Sequence, residues 1–331
     1  MPINAKNKTL VDKIETKRGC RRSSCRVYAS NLVRINREFS DKKMNPDLKW
    51  LSEDAEKILT KIKTLESINV ARNLMSAAII GLDIVNDDAN KKKFNAVLKE
   101  LNEKKNQLQK DGELTAKQKA VNIPWKKIVN LRKLLSKEVR LAGLYKREKL
   151  TMKDFNKVQR ALVLSLYTLL PVVRLDYADL EFVNQKEFEE ITNKDQRNLL
   201  VTKRGGYKIY WNHFKTSRSL GEVIVFVKQY SPLLQRLLVT HIKYLKKHFP
   251  GNQYLLLQTN LSGEKLTRNA LTRYLQRTFQ QYFRKSISST ALRRIFLSHK
   301  YDRKTMLKQE EEHRHMMHSR KTAIADYVRE E

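Results

Sequence analysis

The residues best suited to chemistry stand near the end of the chain, in MMHSRKTAIADYVREE, where His318 precedes Tyr327 by nine positions. Upstream, ISSTALRRIFLSH carries Arg293 in an apolar, helix-like frame, and far earlier LLPVVRLDYADL sets Arg174 just after an apolar helix. Between them HFKTSRSLG places Lys215 in a basic turn. A tyrosine hydroxyl that attacks a phosphodiester stays attached, so the bond energy is kept and the released hydroxyl can attack in return. The pentavalent state carries extra negative charge on its non-bridging oxygens, which the fixed, bidentate donors of arginine suit. Placed charge of this kind is usually the largest catalytic contribution.

On that chemistry Arg174 and Arg293 clamp the phosphate, and Lys215 protonates the departing sugar oxygen as general acid. His318 donates to a non-bridging oxygen or assists proton transfer, and Tyr327 is the nucleophile. With enough cations placed in advance, no metal or cofactor is required. Each residue also has a plainer role open to it. The two arginines belong to a chain full of arginine, and Lys215 has Lys203, Lys208 and Arg218 as neighbours. His318 competes with His313 and His315 of HRHMMH, and Tyr327 could pack as a tail aromatic. Histidines two apart do not share a helix face, which weighs against a metal site there. It is the order and spacing of the five that favours catalysis.

Elements must carry these residues into one place, and the pattern supplies them. The chain has 331 residues and a net charge of +33, with an isoelectric point near 10.1. An excess of that size calls for a polyanion, and double-stranded DNA is the expected partner, because neutralising phosphates releases counterions. Hydrophobic residues make up 40%, enough for a folded core. The longest apolar run, ALVLSLYTLL, is shorter than the ~20 residues a spanning helix needs, so no membrane segment is expected. MPINAKNKTL lacks an apolar stretch, so the expected location is intracellular, with DNA, and not secretory. Cys20 and Cys25 have no further ligands nearby for a zinc site, and two reduced thiols are the expectation.

Residues 1–43 are basic with little amphipathic period, and the expectation is a flexible arm along DNA or a nuclear import signal. Residues 44–112 form a helical domain of three helices: DLKWLSEDAEKILTKIKTL, SINVARNLMSAAIIGLDIV, and a third capped by Asp87 or Asp88 and stopped by Gly112. Residues 113–122 are a linker, and 123–331 a second domain. Its helices begin at Pro124–Trp125 and at Thr151. The pieces LEFV, NLLVT, GYKIYWNHF and EVIVFV read as short strands, the last two as a hairpin around KTSRSLG. Helices follow from Ser231, from LTRNALTRYL and around Arg293. The fold class is therefore mainly α with a small antiparallel β-sheet, an α+β arrangement behind an N-terminal helical domain.

The second half, residues 115–331, resembles the catalytic domain of the tyrosine recombinase/integrase superfamily. The resemblance rests on the arginine after an apolar helix in LLPVVRLDYADL, Lys215 on a hairpin, Arg293 in its helix and the His318–Tyr327 pair. RLDYADL and KQKAVNIPW are most similar to members carried by large eukaryotic DNA viruses, virophages and related mobile elements. The resemblance implies site-specific strand exchange through a 3′-phosphotyrosyl intermediate. It also implies self-association on DNA, as a tetrameric synapse, and location in a nucleus, viral factory or virion. Two positions depart from the family. Thr290 stands where a histidine is common, and Tyr177 where an acid is common, with Asp176 or Asp179 as candidates to replace it. A type IB topoisomerase-like enzyme uses similar residues, but its S-K-x-x-x-Y context is not reproduced by MHSRKTAIADY. A non-catalytic DNA-binding protein on the same fold is the third expectation.

Overall fold

The computed structural model describes residues 5–110 and 114–308. The chain divides into two compact units, residues 1–114 and 115–331. It is mainly helical with one small sheet.

The first unit contains α1 (Ala5–Arg18), α2 (Arg22–Phe39), α3 (Lys49–Glu53), α4 (Ala55–Lys63), α5 (Ile68–Ile84) and α6 (Asp88–Lys110). Its core is the apolar face of α5, where Leu74, Met75 and Ala78 are fully enclosed. Burial of such faces, rather than local propensity, is what holds helices of this length. Two helices expected as one are split at Asp54, whose side chain accepts from Ser40 Oγ. Asp87 caps α6 by accepting from Asn90 N at 3.1 Å.

The basic stretch 1–43, expected as a flexible arm, is instead part of this core where the structure describes it. Leu10 and Ile14 of α1 and Ala29, Leu32 and Ile35 of α2 are buried. The reason is amphipathic spacing: Cys25, Ala29, Leu32 and Ile35 share one face of α2, while the arginines point outward. The two cysteines, expected as free thiols, form a disulfide. Gly19, with φ +57°, ends α1, and the following turn brings Cys20 and Cys25 to a Cα separation of 6.4 Å.

The second unit begins in what was expected to be a linker, since α7 (Ala116–Ala120) is a helix closed by a Thr115–Gln118 capping box. Then come α8 (Trp125–Leu141), α9 (Met152–Leu169), β1 (Leu180–Asn184), α10 (Gln185–Glu190), β2 (Asn198–Thr202) and β3 (Lys208–Trp211). They are followed by α11 (Ser217–Leu220), β4 (Val223–Phe226), α12 (Val227–Tyr230), α13 (Pro232–His248), α14 (Arg268–Phe283) and α15 (Ser289–Lys300). Pro124 precedes α8, and Thr151 and Ser231 cap α9 and α13 with their side chains.

The sheet runs β1-β2-β3-β4. It is mixed, not antiparallel as expected: β1 pairs with β2 in parallel, and β2–β3 and β3–β4 are antiparallel. Residues 185–197 carry α10 and a 3₁₀ turn, long enough to return the chain to the same end of the sheet. No helix among the described residues is long and apolar enough to cross a membrane.

Two stability effects follow. A Cβ on Gly81 of α5 would stand 2.5 Å from Leu51 Cδ2 and 3.0 Å from Leu32 Cδ2. Gly81→Val therefore lowers unfolding stability by ~1–3 kcal/mol through overpacking, read by thermal or urea melting. In the second unit, burial holds the His241 imidazole neutral, with its pKa lowered to about 4. Its unfolded form takes a proton near pH 6.5, so stability is complete above that pH and is lost as pH falls towards 4. Urea titrations between those limits show the slope, and His241→Phe flattens it.

Candidate active site

Arg174 follows the end of α9, and Arg293 lies within α15, yet both line one cleft of about 200 Å³. Asp176, Trp211, Phe214 and Val223 also line it. Arg174 is exposed and Arg293 half-buried. Burial, then the charge of Arg174, push the Arg293 pKa below its ordinary value, while Asp176 opposes the shift. Neither guanidinium has a hydrogen bond or ion pair among the described residues. Asp176 is the single carboxylate in the lining, and it is shared: Arg268 Nη2 lies 3.2 Å from Asp176 Oδ1, an ion-pair distance without hydrogen-bond alignment. Positive charge thus exceeds negative charge in the cleft.

The frame behind Arg174 is aromatic. Tyr167 Oη donates to the Arg174 carbonyl, and Tyr177 Oη donates to Leu166 O at 3.2 Å. The Tyr167 and Tyr177 rings meet edge to face at 5.1 Å, and Tyr177 meets Trp211 at 5.4 Å. Burial raises both phenol pKa values well above normal, so they remain protonated donors. Tyr177, one of the departures from the family pattern, therefore serves packing. Asp176 is the acid that reaches the cleft, while Asp179 pairs with Arg268 Nε at 2.6 Å and Lys265 at 3.5 Å.

Arg293 is held from the other side. Ser288 caps α15 by accepting from Ala291 N at 3.3 Å, and Leu292 is fully buried. Trp125 packs edge-on against Phe296 with centroids 5.2 Å apart. Arg294 Nη2 donates to Gln118 O at 3.1 Å, and Lys285 Nζ to Asn122 O at 2.9 Å. The KQKAVNIPW segment thus braces the arginine helix. Thr290, at the position where the family commonly has histidine, is exposed on that helix.

Lys215 lies in the segment between β3 and β4, exposed, with both neighbours, Phe214 and Thr216, in the cleft lining. The lysine itself is not in that lining. Its loop is anchored by Asn198, which is buried: Asn198 Oδ1 accepts from Asn212 N at 3.1 Å and His213 N at 3.0 Å. Asn198 Nδ2 donates to His213 O at 3.0 Å. Lys203 sits elsewhere, on the β2–β3 turn, in a groove of about 530 Å³ with Arg204 and Lys228. His318 and Tyr327 lie outside the described residues, as do His313 and His315. Sequence reasoning missed Arg268, Trp125 and Asn198, whose partners are distant in sequence. No family model matches the chain, and no curated protein or solved structure matches it.

Asn198→Leu leaves two buried backbone N–H groups unsatisfied and loosens the Lys215 loop. A loss of ~1–3 kcal/mol in urea unfolding is expected.

Proposed function

We propose that this chain is a tyrosine-type site-specific DNA recombinase that cuts and rejoins strands through a 3′-phosphotyrosyl intermediate. One observation carries the reading: Arg174 and Arg293, 119 positions apart in the sequence, face one cleft with positive charge in excess. Such a cleft suits a phosphodiester, because an oxyanion between two guanidinium groups relieves their mutual repulsion. The net charge of +33 suits a duplex outside it.

In the reaction, Tyr327 Oη attacks the phosphorus and the bond to the 5′ oxygen breaks. Lys215 gives that oxygen its proton, leaving a 5′ hydroxyl and a tyrosyl phosphodiester. The arginines neutralise the non-bridging oxygens, with His318 as a further donor. A 5′ hydroxyl from the same or another strand then attacks the phosphotyrosine and releases the tyrosine. Exchange between strands needs several copies together on DNA, and a tetramer is the arrangement proposed. A second reading is favoured by exposed Thr290: a DNA-binding protein on the same scaffold, lacking the histidine that would assist proton transfer.

The test uses a pool of nicked duplexes of randomised sequence, incubated in EDTA and resolved on a denaturing gel. The proposal expects a covalent protein–DNA band that is absent for Tyr327→Phe. Arg174→Ala and Arg293→Ala should each slow its formation by ~10²–10³-fold. Tight duplex binding with no covalent band would favour the second reading. In either case affinity should fall steeply between low and physiological salt, in a linear log–log plot.

A further inference from the structure

The two edges of the sheet are treated differently. Outside β1, Phe182 N donates to Gln253 O at 2.7 Å and Leu255 N to Leu180 O at 3.0 Å, so that edge is covered. Outside β4, no backbone hydrogen bond continues the sheet among the described residues. Val227 N donates to Tyr207 O at 3.0 Å, which makes that pair a bonded one in the β3–β4 register. The period of two then sends the backbone groups of Val223 and Val225 inward to β3 and those of Ile224 and Phe226 outward. The same stretch exposes apolar side chains: Ile224 at 42% and Phe226 at 40%, flanked by Leu220 and Tyr230. An open edge of that composition is a template for another strand.

We infer that the β4 edge is a self-pairing surface, joining two copies of this chain antiparallel along Val223–Phe226. The charge pattern names the occupant. Pairing about Val225 sets Ile224 against the second copy's Phe226 and brings Glu222 towards its Lys228, so the strand is complementary to itself. A two-fold contact of this kind is closed and does not propagate into fibres. Val223 also lines the arginine cleft, so the contact brings a second copy to the rim of that cleft. The inference stands whether or not the chain cuts DNA. Repulsion between two chains of +33 opposes the contact, and salt or bound polyanion relieves it.

The test is sedimentation equilibrium of the full chain in about 0.5 M sodium chloride, where charge repulsion is screened. Wild type should form dimers. Ile224→Lys with Phe226→Lys should raise the dimer dissociation constant at least about tenfold, with circular dichroism and melting unchanged. Glu222→Lys should weaken the dimer, and adding Lys228→Glu should restore it. A wild type that stays monomeric, or a double-lysine variant that dimerises like wild type, overturns the inference. So does a charge swap that restores nothing, because the register requires the pair.

Discussion

Two like charges facing one small cleft are the constraint on which the rest of the second unit depends. Arg174 and Arg293 repel each other, and the single carboxylate between them is already engaged by Arg268. Nothing in the cleft rewards this closeness, so the surrounding packing must enforce it. An anion arriving there meets donors already in position, and no reorganisation is needed when charge develops. Protein stability is small in total, and a site that spends some of it on repulsion needs a firm frame.

That frame comes from two separate parts of the unit. The Tyr167–Tyr177–Trp211 stack fixes the chain that leaves α9, and a carbonyl hydrogen bond fixes the peptide of Arg174 itself. The other arginine rides on α15, which is braced by Trp125 and by carbonyls at Gln118 and Asn122. Asn198 does the same for the loop of Lys215 with three hydrogen bonds from one buried amide. Aromatic and amide groups of this sort are satisfied in place, and a satisfied buried network holds geometry well. The open β4 edge lies beside the cleft, so any association along it would act close to the two arginines.

Much of this organisation was legible in the sequence. Period and caps marked α5, α9, α13 and α14, and all four strands fall where alternation and β-branched residues placed them. Arg174 and Arg293 were singled out from their frames alone, and the structure brings them together. What escaped was of two kinds. In α2 an apolar face of Cys25, Ala29, Leu32 and Ile35 was hidden among arginines, so a core helix read as a basic arm. Elsewhere the information was not local. The parallel pairing of β1 and β2, the Asp176–Arg268 contact and the brace between Trp125 and Phe296 depend on topology, which no short window encodes. The cysteine pair fell between these kinds, since its closeness depends on the turn that Gly19 permits.

The most direct test of the account asks whether Arg174 and Arg293 neutralise charge on one phosphate. A methylphosphonate, which removes one non-bridging charge, is placed at the reactive position of a duplex chosen from the randomised pool. Rates of covalent adduct formation are then compared for wild type, Arg174→Ala and Arg293→Ala. The account predicts that the neutral linkage recovers at least about tenfold of the rate lost by an arginine variant, because the missing cation is no longer needed. If neither variant recovers on the neutral linkage, the two arginines do not act on the reacting phosphate and the central claim is wrong.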